Sequence, residues 1–308
     1  MKRLIKVAAI AALVGSFVAG NALPVRAQNS GTGARIGGVS AGEITFGVNA
    51  LANVVINSNV TEANDNNNKN NGPANEQNLT AAEKAALDGA LTDPASLAQV
   101  VQQILQDRQE TTNGLTPYIA GLVTKYAIGR NTNAAATITS TAIAVAMGDS
   151  VEVKLEKDLV VVAVATATAP DKAGEITAEA AKQMPDFLAE ITQAAVTVVP
   201  DRAADITAAA VRANPSQAAN VAKAAAAAAP QQARAITTAA AAQAPGQASS
   251  IVSEVSLVVV LNGGASQDVI DGVNNITQDT TNDGFDDVEP VDTSAAQENP
   301  ASADKPKT

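Results

Sequence analysis

In this chain of 308 residues the groups best able to do chemistry are carboxylates, because it has no histidine and no cysteine. Without an imidazole or a thiol there is no Ser-His-Asp or Cys-His relay, no conventional transition-metal site and no zinc hydrolase. Carboxylates remain fit for two tasks, paired acid–base cleavage of glycosides and oxygen coordination of a hard cation. The first task would fall to Glu175, Glu179, Glu190 and Asp205. Their places at helix starts and on polar faces predict solvated surface instead. The second would fall to the string Asp279-Thr280-Thr281-Asn282-Asp283-Gly284-Phe285-Asp286-Asp287. No glycine-rich loop follows a strand and opens a helix, so nucleotide binding has no support. A formal charge of −11 argues against nucleic acid, which needs a basic footprint.

The acidic string resembles the calcium loops of thrombospondin type 3 repeats, which run D-x-D-x-D-G-x-x-D. That resemblance implies Asp279, Thr281, Asp283 and Asp287 as calcium ligands, with Thr281 replacing an acidic one, in a single copy. An EF-hand does not fit, because Pro290 stands where the bidentate glutamate is required. The competing expectation is an acidic tail with no resident metal, and no cofactor is assigned. Regular threonines on alanine-rich helices (Thr177, Thr192, Thr207, Thr237) resemble helical antifreeze proteins. Ice binding needs a flat exposed face, however, and these threonines adjoin the expected buried stripe. A hydroxyl bonded back to its own helix is the competing role.

The element that must position all of these is a repeat. Six copies of a fifteen-residue unit run from Pro170 to Val259, led by Pro170, Pro185, Pro200, Pro215, Pro230 and Pro245. Place four is Ala173, Leu188, Ala203, Ala218, Ala233 and Ala248; place seven is Ile or Val; place eleven is Ala or Val. Those places share one face of a 3.6-residue helix, and alanine, the best helix former, fills most others. Proline is ruinous inside a helix, at roughly 3 kcal/mol, but harmless at its first position. Each unit is therefore predicted to be one short helix of about twelve residues. Such helices are marginal alone, so their stripes must be buried on neighbouring copies, as antiparallel hairpins stacked into a solenoid. A single proline-kinked rod is the rival. The pattern P-x-x-A-x-x-I-T-x-A-A resembles alanine-rich repeats of poorly characterised secreted bacterial proteins. The resemblance spans 155–259 and the leader, and implies location and architecture but no activity.

Residues 1–27 fit a Sec signal peptide: Lys2, Arg3 and Lys6, an apolar Val7 to Ala19, then Val25-Arg26-Ala27 before Gln28. Residues 28–79 hold an apolar stretch from Ile44 to Ile56, read as helix over edge strand, and an asparagine-rich linker. Residues 80–154 are expected to form a helical cap. Its start signals are Thr80 to Glu83, Asp93-Pro94, Thr116-Pro117 and Asn133, with Gly129 as a stop. Residues 155–264 form the solenoid. They begin with a degenerate unit whose Asp158 to Val164 run could also be a strand, and end at Asn262-Gly263-Gly264. Residues 265–308 give a short helix near Ser266 to Val273 and an acidic disordered tail.

The sequence thus predicts an all-α chain: an α-solenoid of short antiparallel helices with a helical N-terminal cap and a disordered tail. It predicts a secreted, non-enzymatic structural or interaction scaffold in the periplasm, at the cell surface or outside the cell. A solenoid that binds a peptide or protein is one alternative, and a calcium- or ice-binding surface protein another. Partners would be a protein or further copies of the chain, not nucleic acid, and the mature chain would have no transmembrane segment.

Overall fold

The computed structural model describes residues 35–36, 39–58, 78–110, 115–145, 151–262 and 269–270. Among these residues twelve α-helices carry the fold. The first six are α1 (Ala41–Asn57), α2 (Ala81–Gly89), α3 (Pro94–Gln109), α4 (Pro117–Arg130), α5 (Ala135–Ala144) and α6 (Val151–Thr168). The repeat units give α7 (Ala173–Gln183), α8 (Leu188–Val198), α9 (Ala203–Ala213), α10 (Ala218–Ala228), α11 (Ala233–Gln243) and α12 (Ala248–Leu261). Apart from these, Arg35–Ile36 and Val39–Ser40 pair as a two-stranded antiparallel ladder before α1.

Every unit turns in the same way. The last residue of a unit leaves the helical region: Ala169, Met184, Val199, Asn214, Ala229 and Ala244 have φ between −131° and −146° and ψ between 62° and 88°. A following proline disfavours the helical region for the residue before it. Proline and the next two residues then make one 3-10 turn, such as Pro170–Lys172, which leads directly into the α-helix. The turn is closed by a backbone bond from its third residue to the one before the proline, 2.9 Å for Lys172 N to Ala169 O. The helix is therefore eleven residues long from α7 to α11, entered through a tight turn rather than joined by a loop.

The helices form two layers. From α3 onward each packs most heavily on a helix two along the chain, so α4, α6, α8, α10 and α12 make one layer and α3, α5, α7, α9 and α11 the other. The fifteen-residue sequence unit is half of the structural one, an antiparallel pair. Side chains lock this longer period: Arg202 pairs with Asp171, Arg212 with Gln243 (3.2 Å) and Lys223 with Glu254 (2.7 Å). Gln217 donates to the Pro185 carbonyl at 3.0 Å, and Gln247 likewise to Pro215. These bonds set helix starts beside helix starts, so helices within a layer run parallel.

Places seven and eleven are fully buried in all six units, and place four is buried in five of them. Places eight and twelve join them in every unit but the last. Burying one isoleucine per unit contributes about 2–3 kcal/mol, and the alanines let the axes come close.

Outside the repeats the capping expectations hold. Thr80 Oγ1 accepts from Glu83 N (3.2 Å) while Glu83 Oε2 accepts from Thr80 N (2.7 Å). Asp93 and Thr116 cap α3 and α4. Gly129 does not stop α4, which continues to Arg130; Asn131 ends it, because Asn131 repeats the unit-closing geometry (φ −144°, ψ 89°). Residues Thr132–Ala134 then make the 3-10 turn without a proline, so Asn133 lies within that turn and α5 opens at Ala135. The stretch Asp158 to Val164 is helical, inside α6, which crosses the expected boundary at 154–155. Its β-branched run is buried on all sides, since α1 lies over α6 and also touches α4 and α8.

Candidate functional site

A concavity lies on the outward face of one layer, between the parallel helices α7 and α9. It is an open trough of about 760 Å³. Gly174, Ala178, Ala181, Ala208 and Ala209 floor it, and their small side chains are what leaves the space. A Cβ added at Gly174 would be in ordinary contact with Ala209 Cβ and the Asp205 carbonyl, each at 3.6 Å, so α7 and α9 approach each other closely there. At the helix starts it is edged by Asp171, Glu175 and Asp205, and at the helix ends by Lys182 and Arg212. That arrangement follows the helix dipole, which favours carboxylates at the start and cations at the finish. Arg202 bridges Asp171 and Asp205, and thereby ties the two helix starts together.

Of the four carboxylates considered for catalysis, the fold brings two to one trough and places Glu190 in the other layer. Glu175 and Asp205 line the trough, paired with Lys172 at 2.9 Å and Arg202 at 3.5 Å. Glu179 pairs with Lys182 at 2.5 Å. Glu190 belongs to α8 in the other layer, and burial raises its pKa above the ordinary glutamate value. The candidate ligands Asp279, Thr281, Asp283 and Asp287 lie outside the described residues, as do the leader, the asparagine-rich linker and most of the expected terminal helix. Among the described residues no group of three or more acidic side chains is placed to hold a metal ion.

Threonines of the eighth place do not form a surface row. Thr177, Thr192, Thr207 and Thr237 are fully buried, and each hydroxyl donates to the carbonyl four residues back at 2.6–2.8 Å. Thr139 does the same one layer position earlier, bonding to Ala135 at 2.7 Å. The flat exposed threonine face that ice binding needs is therefore not built from them.

Sequence reasoning missed two lysines that close helix ends. Lys157 of α6 is fully buried; its Nζ donates to the carbonyls of Ala142 (2.8 Å), Ile143 (3.3 Å) and Val145 (2.5 Å), the open end of α5. Asp158 pairs with it at 2.9 Å and with Lys154 at 2.6 Å. Burial lowers the Lys157 pKa and raises that of Asp158, and their mutual attraction opposes both shifts. Lys125 of α4, half-buried, repeats the device at the end of α1, donating to Val55 (3.1 Å), Ile56 (2.7 Å) and Ser58 (2.6 Å). Each lysine caps a helix that ends without a proline turn. The visible signal was a lysine–aspartate pair inside the apolar run Leu155 to Ala165.

No family model, no curated protein and no solved structure matches the chain. Among the described residues no helix is long and apolar enough to cross a membrane.

Proposed function

We propose that the protein is an exported, non-enzymatic interaction scaffold that receives a partner protein or peptide in the trough between α7 and α9. The observation that carries this reading is the trough itself: a small-residue floor between parallel helices, with carboxylates at one end and cations at the other. An elongated segment with a basic residue at one end and an acidic one at the other suits it. In the α11 unit the places of Asp171, Glu175 and Lys182 are taken by Gln231, Ala235 and Ala242, all uncharged. Its one charge, Arg234, is a cation at the helix start, so the polarity of the trough belongs to α7 and α9. Rigid two-layer stacking supports the trough from behind, which keeps the ordering cost of binding low.

A photo-crosslinking side chain at Ala208, on the floor, tests this in the secreting culture. A discrete protein adduct is expected at Ala208 and none at Ala227, an outward position of the opposite layer. Equal labelling at both positions, or none at either, removes the reading. Export itself is read from the mature N-terminus: mass spectrometry of protein recovered outside the cytoplasm should find Gln28 first.

A further inference from the structure

Helix α1 is held in a manner unlike the rest of the array. It lies outside both layers, on the outer wall formed by α4, α6 and α8. Three features build its seat. The first is the apolar wall of α6, whose Val160, Val161, Val162 and Val164 are all fully buried. The second is a notch at Gly121 of α4, where a Cβ would stand 3.2 Å from Val160 Cγ1 and 3.2 Å from Val55 Cγ1. A side chain there would require Val160 and Val55 to give by a few tenths of an ångström. The third is the Lys125 ammonium, which takes the last carbonyls of α1 at 2.6–3.1 Å. A groove, a notch and a cationic cap together recognise one apolar helix by its face and its end.

Along the chain, residues 59–77 separate α1 and Ser58 from the described residues that lead into α2. A chain of that length spans up to roughly 65 Å when extended. The α1 main-chain connection therefore does not dictate which copy of the seat it fills. We infer that α1 is an exchangeable element: the α4–α6–α8 wall of one copy accepts α1 of a second copy, and two chains reciprocally donate this helix. The swapped contacts are those already present within one chain, so the dimer needs no new surface. What differs is only the linker path and the concentration. This self-association is separate from the trough, which lies on the other layer.

Because the chain has no cysteine, disulfide trapping reads the exchange without background. The Val55→Cys and Gly121→Cys variants are prepared separately, unfolded together, refolded as a mixture and oxidised. A disulfide-linked dimer with one copy of each variant is expected, while either variant refolded alone stays reduced. The double variant V55C/G121C serves as the internal standard and should close its disulfide within one chain. The inference is overturned if the double variant closes but the mixture yields no linked dimer. It is equally overturned if the double variant stays open, since α1 then does not sit against Gly121. Light scattering on the unmodified chain, refolded over a hundredfold range of concentration, avoids any effect of the substitutions on folding. A two-copy species that grows with concentration supports the exchange, and a monomer throughout overturns it.

Discussion

At the residue scale the informative positions are those where a polar group is buried and answered. Lys157 sits on the open carbonyls of α5 with Asp158 beside it. Replacing it by methionine keeps the stem but strands the carbonyls and leaves Asp158 to Lys154 alone. Removing one partner of such a buried pair costs about 3–5 kcal/mol; thermal unfolding followed by circular dichroism should show a clear fall for K157M. The partly exposed Lys154→Met should cost less than about 1 kcal/mol, and equal losses would contradict the assignment of Lys157 as the cap. Glu83 gives a pH signature. Burial works to raise its pKa, but hydrogen bonds from Arg108 and from the Thr80 backbone and hydroxyl prevail and hold it below the ordinary value of 4.5. A carboxylate depressed by folding contributes stability that is present above the unfolded pKa and is lost as pH falls through the folded one. Urea midpoints should therefore fall below about pH 4.5 in the native chain. In the Glu83→Gln variant that part of the acid loss should be missing.

At the element scale the prolines and the aliphatic places answer different questions. Pro200 starts a turn whose geometry Thr132 adopts without a proline. Pro200→Ala should thus leave the fold intact and cost about 0.4–1 kcal/mol, mostly by freeing the unfolded chain. Ile206→Ala truncates the largest buried side chain of its unit and should cost about 2–5 kcal/mol. If the two substitutions cost the same, proline would be holding the layers together rather than punctuating them. The repeat, its helices and their burial stripe were legible because 3.6-residue periodicity and the N-terminal preference of proline are local. The hidden unit Pro117–Asn131 was not, because its successor lacks proline, although Ala120, Val123, Thr124 and Ala127, and one repeat length on Ala135, Ile138, Thr139 and Ala142, keep places four, seven, eight and eleven. Nor was the partner of α1 visible. Its apolar residues call for a cover, but which helix supplies it is a long-range matter that periodicity does not encode. The trough was equally hidden, since it arises from alanines that look like filler until two parallel helices set them side by side.

At the scale of the whole molecule the array steps by pairs. Deleting residues 200–229 removes one helix from each layer and brings like against like. The shortened chain should unfold cooperatively at a lower temperature, as nearest-neighbour stacking requires. Deleting residues 200–214 moves every later helix into the opposite layer, away from the neighbours its side chains fit. That chain should lose cooperativity in calorimetry. Equal behaviour of the two deletions would make the single unit, not the pair, the structural period.

The place of α1 also imposes a timetable. It is synthesised ahead of every other described helix, yet α6 and α8, against which it rests, emerge only after four or more later helices. Its apolar face must wait uncovered, or in other hands, until the middle of the chain has arrived. Pulse-labelled hydrogen exchange during refolding should find the α1 amides protected after those of α6, and simultaneous protection would show that the first helix made is not the last to settle.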